Sequence, residues 1–339
     1  MSINITGDKN FFIKTNNNGF KVYSIKNFNI KYDEDKIGPI EKAEMLGNSN
    51  IFAILPSNDN ILYSNRNIYI WDSKERKILY TLDIKNRIRT FKFYGNNIFV
   101  VCTSRNITIF KVYDDFSILD SFVTYQNKKG AFTFYHNGNN YICCYPSDND
   151  LPGYVTIYYS EKKITITHKV HQSEINHLLF NDDGTKLFTC SCKGTVIRYY
   201  NINKKGFFLQ KELRRGYDHV NIYSMSISPN SEWLNITSDK GTGHIFFIGK
   251  INKNNVKNQI SVFSYANIIS SVLPITVSEY ISSEWSCYQY KLDQSKNISI
   301  IYDDYKILII NINGIYSYYE YNSKISDDIK LIELKEYNK

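Results

Sequence analysis

Two adjacent arginines followed by a glycine, Arg214-Arg215-Gly216, are the residues of this chain best suited to chemistry with an anion. A guanidinium is planar, stays ionised at any physiological pH and donates two parallel hydrogen bonds, which suits a phosphate monoester. Neighbouring side chains on a strand point to opposite faces, so two adjacent arginines there serve two pockets and not one. The residues around them repeat: Ser191-Cys192-Lys193-Gly194-Thr195 returns 47 residues later as Ser238-Asp239-Lys240-Gly241-Thr242. Hydroxyls and glycine amides at such turns add directional donors, and Lys193 and Lys240 add unspecific positive charge. The Lys-Gly-Thr tripeptides lack the upstream glycine of a P-loop, and Gly241-Thr242-Gly243 is no dinucleotide fingerprint. Both read as strand-entry turns.

No catalytic set competes with this pair. Asp182-Asp183 and Asp303-Asp304 sit in turn-like contexts, and no nucleophile is matched with a base, so the chain reads as a binding protein and not an enzyme. The six cysteines, Cys102, Cys143, Cys144, Cys190, Cys192 and Cys287, show no CxxC pair and no histidine at zinc-site spacing. They are expected to be buried free thiols, with neither metal nor cofactor.

The elements that must position the arginines are strands. Among 339 residues, 29 Tyr and 20 Phe stand against 16 Gly and 6 Pro, and branched and aromatic side chains suit a pleated, half-buried surface. Alternating runs such as Asn67-Ile68-Tyr69-Ile70-Trp71 and Tyr154-Val155-Thr156-Ile157-Tyr158 are separated by Asn, Asp, Gly and Lys clusters. A period in the forties is what one four-stranded propeller blade needs. About seven such units fit, near residues 3–24, 40–80, 86–125, 130–168, 172–211, 218–290 and 298–325. The expected fold is therefore all-β, a seven-bladed β-propeller of the WD40-like kind formed by residues 1–339 as one domain. The sixth unit is too long for one blade and holds a loop at about 250–278. In it Lys250, Lys253 and Lys257 precede an apolar patch of Ile268, Ile269, Val272, Leu273, Ile275 and Val277.

A formal net charge of +8 suits an anionic partner without naming one. The lysines are scattered and form no basic stripe with stacking aromatics, which argues against nucleic acid. Met1 to Thr15 shows no leader pattern and no run of about 18 apolar residues occurs, so a cytosolic protein that does not span a membrane is expected.

The stretch from His168 to Phe247 resembles the PROPPIN family of WD-repeat proteins, known for roles in autophagy. Three pieces in fixed order carry the resemblance: Ser191 to Arg198, then Leu213-Arg214-Arg215-Gly216, then Ile222-Tyr223-Ser224 leading to Ser238 through Phe246. Echoes at Glu44-Met45-Leu46, Ile70-Trp71-Asp72, Asn127-Lys128-Lys129-Gly130 and Tyr280 to Ser286 extend it over most of the chain. Gly243 departs from the family by replacing a β-branched residue, and the N-terminal unit matches least.

The resemblance implies binding of 3-phosphorylated phosphoinositides, phosphatidylinositol 3-phosphate and the 3,5-bisphosphate, at two sites. Arg214 would join Thr189, Ser191, Gly194, Thr195, Arg198 and His171 of the preceding blade. Arg215 and Gly216 would join Ser238, Thr242 and His244 of the following blade, with His219 and Lys240. It further implies a monomer that sits peripherally on autophagic, endosomal or vacuolar membranes and engages autophagy proteins, including a lipid-transfer partner, while the loop's own order of lysines followed by apolar residues is what points to membrane insertion of Ile268 to Val277. A WD-repeat scaffold for protein interactions, with lipid binding lost or secondary, is the alternative.

Overall fold

The computed structural model describes residues 1–138, 140–148, 151–249, 283–321 and 329–337. They form seven antiparallel sheets arranged as a β-propeller, each built from four consecutive strands except where noted. The innermost strands are β1 (Ile3–Ile5), β5 (Ile40–Met45), β9 (Ile88–Tyr94), β13 (Thr133–Asn137), β17 (Ile175–Phe180), β21 (Ile222–Ile227) and β26 (Asn297–Asp303). The fourth strands are β4 (Ile30–Glu34), β8 (Lys77–Asp83), β12 (Ser117–Val123), β16 (Ile164–Lys169), β20 (Gly206–Arg214), β25 (Tyr288–Lys291) and β29 (Lys330–Glu336). The 47-residue repeat falls on blades 5 and 6, with Ile175 and Ile222 opening β17 and β21.

The first and last blades run longer than their sequence patterns suggest, to Glu34 and Glu336. Their outer strands lie in solvent on most of their length, so Lys-Leu-Ile-Glu-Leu-Lys-Glu in β29 carries no apolar alternation to read. Inside each blade the reverse holds. Every strand of β10 (Ile98–Thr103) type faces a neighbouring blade on both sides, and all six residues of β10 are buried.

Seven apolar clusters result, one per seam between blades. Four of the cysteines are fully buried in them or beside them, and burial raises the Cys102 and Cys190 thiols to about 12. Cys192 and Cys287 are only half-buried, because each sits beside a turn at a blade rim, which corrects the expectation that all six would be buried.

The ring closes without exchange of a strand between its ends. Blade 1 is complete from residues 3–34 and blade 7 from residues 297–336, and β1 packs beside β26. An aromatic cluster closes the seam instead: Tyr337 sets its edge against Phe12 and Tyr23, and Phe28 stacks on Tyr316 with centroids 3.6 Å apart. The Tyr337 hydroxyl also donates to the Asn311 carbonyl at 2.6 Å.

The apolar patch Ile268 to Val277 lies outside the described residues. Among those described, no helix is long and apolar enough to cross a membrane, and no group of three or more His, Cys, Asp or Glu is placed to hold a metal.

Because Tyr337 is buried in the closing seam, Tyr337→Ala should lower unfolding free energy by about 3–5 kcal/mol, and Tyr337→Phe by about 1 kcal/mol. Urea denaturation measures both. An unchanged midpoint in the alanine variant would mean that the seam is held by something else.

Candidate functional site

In blade 5 the strands β18 (Lys186–Ser191), β19 (Val196–Asn203) and β20 set residues in rows across the sheet. Thr189, Arg198 and Glu212 form one row, and Cys190, Ile197 and Leu213 form the next. The second row belongs to the apolar seam with blade 6. The first therefore faces blade 4, and by the same alternation Arg214 faces blade 4 while Arg215 faces blade 6. The register pairs Arg214 with Val196, one step along that face from Arg198.

On the blade 4 side, His171 Nε2 lies 3.0 Å from Thr189 Oγ1. Arg198 donates through Nε to Glu212 Oε1 and through Nη1 to the Val170 carbonyl, with His171 Nδ1 3.5 Å away. Thr189, His171 and Arg198 are thus joined by direct contacts, and Ser191 lies on the same face of β18 as Thr189. Gly194 adopts φ +67° in the turn, and a Cβ there would stand 2.4 Å from the Val220 carbonyl, so the sharp approach of the two turns excludes any side chain. Thr195 contributes its carbonyl, which accepts from the Arg215 amide at 2.9 Å.

On the blade 6 side, Arg215 is buried and donates through Nε to the Gly194 carbonyl at 3.1 Å and through Nη2 to the Asp218 carbonyl. His244 Nδ1 lies 3.1 Å from Ser286 Oγ. The Ser238 hydroxyl is buried with no hydrogen-bond partner among the described residues. Gly216 and Thr242 are half-buried, whereas His219 and Lys240 are exposed at the rim. Gly243 has a structural reason for its departure from the family pattern. A Cβ there would meet the Tyr290 ring at 2.0 Å, and that ring donates its hydroxyl to Asn235 Oδ1 at 2.7 Å.

A short strand that sequence reasoning missed crosses the motif. β24 (Glu284–Trp285) leaves blade 6 and pairs in parallel with Leu213 and Arg214, making blade 5 five-stranded. Arg214 Nη2 donates to Ser283 Oγ at 3.3 Å, Lys211 pairs with Glu284 at 3.0 Å, and the Trp285 ring packs on Tyr217. Glu212 and Val170 carry no sequence signal of their own, and Ser286 carries only its place at the end of the stretch Tyr280 to Ser286.

Electrostatically the pockets are cationic with neutral imidazoles. Burial, reinforced by the Arg198 charge, pushes His171 down to about 3, and burial with the Arg215 charge pushes His244 down to about 4. Burial likewise takes His177, in β17, down to about 4. An imidazole that is neutral when folded takes up a proton on unfolding below its free value of about 6.5, so stability is complete above that pH and is lost as pH falls. Each such histidine contributes up to about 1.4 kcal/mol per pH unit below that point. His171→Gln, which retains a partner for Thr189 without titrating, should give a shallower loss of stability between about pH 6 and 4.5 in denaturation series. Parallel slopes for the two proteins would contradict a neutral, buried His171.

Known proteins agree with this architecture. The PROPPIN family model matches residues 65–333. Autophagy-related protein 18e of Arabidopsis thaliana is 29% identical over 309 residues, covering 89% of this chain and 78% of the relative. Ectopic P granules protein 6 of Caenorhabditis elegans is 26% identical over 265 residues, covering 75% of this chain and 68% of the relative. Among solved structures, Kluyveromyces lactis Hsv2 superposes with a TM-score of 0.75 at 20% identity, covering 99% of this chain and 98% of that one. A complex of KlAtg21 with the coiled-coil of AgAtg16 superposes with a TM-score of 0.77 at 20% identity and the same coverage. With its seven blades and its paired arginines between blades 4 and 6, the chain belongs to the PROPPIN family.

Proposed function

We propose that this chain is a non-enzymatic effector that binds phosphatidylinositol 3-phosphate, and phosphatidylinositol 3,5-bisphosphate, through two pockets flanking Leu213 to Gly216. One observation carries the reading: Arg214, the last residue of β20, faces the seam with blade 4, while Arg215, the next residue, is turned to the other side by its bonds to the Gly194 and Asp218 carbonyls. In the first pocket Arg214 would take the phosphate fork, with Thr189, Ser191, Thr195, the Gly194 turn, Arg198 and His171 around it. In the second Arg215 would do so with Gly216, Ser238, Thr242 and His244, and His219 and Lys240 at the mouth.

Both pockets open on the rim, so the disc docks edge-on. Ser283, the first described residue after the long insertion, lies beside Arg214. The insertion's apolar patch is the third membrane contact in this reading. Two headgroup sites and one inserting segment multiply through effective concentration, where a single weak site would not hold the protein. The whole chain acts as one propeller domain and as a monomer, on the cytoplasmic side of autophagic, endosomal or vacuolar membranes. There it recruits autophagy proteins, a lipid-transfer partner among them; the coiled-coil partner of KlAtg21 indicates one chemistry such a partner takes.

The scaffold reading has its own observation in support: Arg198 is engaged by Glu212, and Arg215 by the Asp218 carbonyl of its own turn and the Gly194 carbonyl of the neighbouring one. If those contacts are permanent, the arginines hold the turns together and protein partners are the whole function.

Liposome co-sedimentation at fixed salt separates the two. Wild type should sediment with 3-phosphorylated lipids in preference to other acidic lipids of equal charge, and Arg214→Thr/Arg215→Thr should lose that binding by more than about tenfold. Equal binding to every acidic lipid by both proteins would leave the scaffold reading. Ser283→Ala should weaken sedimentation less than Arg214→Thr and add nothing to it, since the hydroxyl acts by holding that guanidinium; additive losses would exclude this positioning role.

A further inference from the structure

The axis of the ring holds a second polar site, remote in the fold from the rim. A cavity of about 610 Å³ is lined by all seven innermost strands, a volume within the range of about 300–1,000 Å³ usual for small-molecule sites. Among its charged residues Lys9 pairs with Asp182 at 3.4 Å, which leaves Lys42 and Lys92 with one carboxylate, Glu44.

Neither lysine makes an ion pair among the described residues. Lys42 Nζ donates to Thr90 Oγ1 at 2.5 Å and lies over the Phe91 ring, and Lys92 Nζ lies over the Tyr94 ring. Burial, against the pull of Glu44 and helped by Lys92 and Lys296, lowers the Lys42 ammonium to about 8. Positive charge gathered in a confined space calls for a counter-anion.

Glu44 is 1% exposed and its Oε2 accepts from Asn4 Nδ2 at 2.6 Å. Its Oε1 and the Asn4 Oδ1 are buried and find no donor among the described residues. The cavity therefore offers cations that need an acceptor beside acceptors that need a donor. Water satisfies the second requirement and brings no charge for the first. A phosphate ester with free hydroxyls satisfies both: its phosphate oxygens accept from Lys42 and Lys92, and its hydroxyls donate to Glu44 Oε1 and Asn4 Oδ1.

We propose that the axial cavity binds a small, soluble, hydroxyl-bearing phosphate ester of the sugar or polyol phosphate class, independently of the rim arginines.

Calorimetric titration of full-length Arg214→Thr/Arg215→Thr protein, whose rim sites are silenced, tests this with glucose 6-phosphate, inorganic phosphate and glucose as probes. Glucose 6-phosphate should bind, about tenfold more tightly than inorganic phosphate, and glucose should give no heat. Adding Lys42→Met/Lys92→Met should weaken glucose 6-phosphate by more than about tenfold, and Glu44→Gln should narrow its advantage over inorganic phosphate. Where the double lysine variant fails to fold, Lys92→Met alone serves, with its thermal melt as the control. Absence of binding at millimolar sugar phosphate, or binding unmoved by loss of the lysines, overturns the proposal. Equal affinity for inorganic phosphate and the ester overturns its hydroxyl half. Since the rim is silent throughout, a negative result here leaves the lipid reading intact.

Discussion

Two arginines that are neighbours on a strand must leave it on opposite faces, and in a propeller opposite faces belong to different seams. The rest of the site follows from that constraint. Arg214 turns to the seam with blade 4, where Arg198 reaches the Val170 carbonyl and His171 meets Thr189, and Arg215 turns to the seam with blade 6, where Ser238 and His244 lie. Gly194 joins the halves, since its tight approach to Val220 brings its carbonyl to Arg215 Nε.

The scaffold that keeps this geometry is a ring of seams. Each blade has no solvent face in its middle strands, and its apolar residues are divided between two neighbours. Stability is therefore shared around the ring, and the closing seam is the place where it depends on side chains alone, with Tyr337, Phe12 and Tyr23 packed across the junction of blades 7 and 1. At the site the same economy of space fixes the imidazoles: His171 and His244 are buried so close to guanidinium groups that protonation is suppressed, which leaves the arginines as the charge carriers at neutral pH.

Much of this was legible in the amino-acid sequence. Blades 5 and 6 were visible because their turns share a pattern at a spacing of 47 residues, and the arginine pair was visible because that pattern brackets it. Outer strands β4 and β29 were not, since a solvated edge strand needs no apolar alternation. β24 escaped because it is two residues long and pairs with a strand some 70 positions earlier, so neither periodicity nor a turn marks it. Nothing in the sequence marks Glu212, which the register sets opposite Arg198. Glu44 stood out only as part of a family echo, and its isolation in the axial cavity is a property of the closed ring that no local pattern encodes.

One strand end serving two separate phosphate sites predicts two countable equivalents of headgroup. Calorimetric titration with inositol 1,3-bisphosphate, the soluble headgroup of phosphatidylinositol 3-phosphate, counts them most directly. The expected result is that Arg214→Thr removes one equivalent of binding, Arg215→Thr removes one other, and the remaining site in each variant keeps its affinity. Loss of both equivalents on either single substitution, or of neither, would contradict two independent sites on opposite faces of β20.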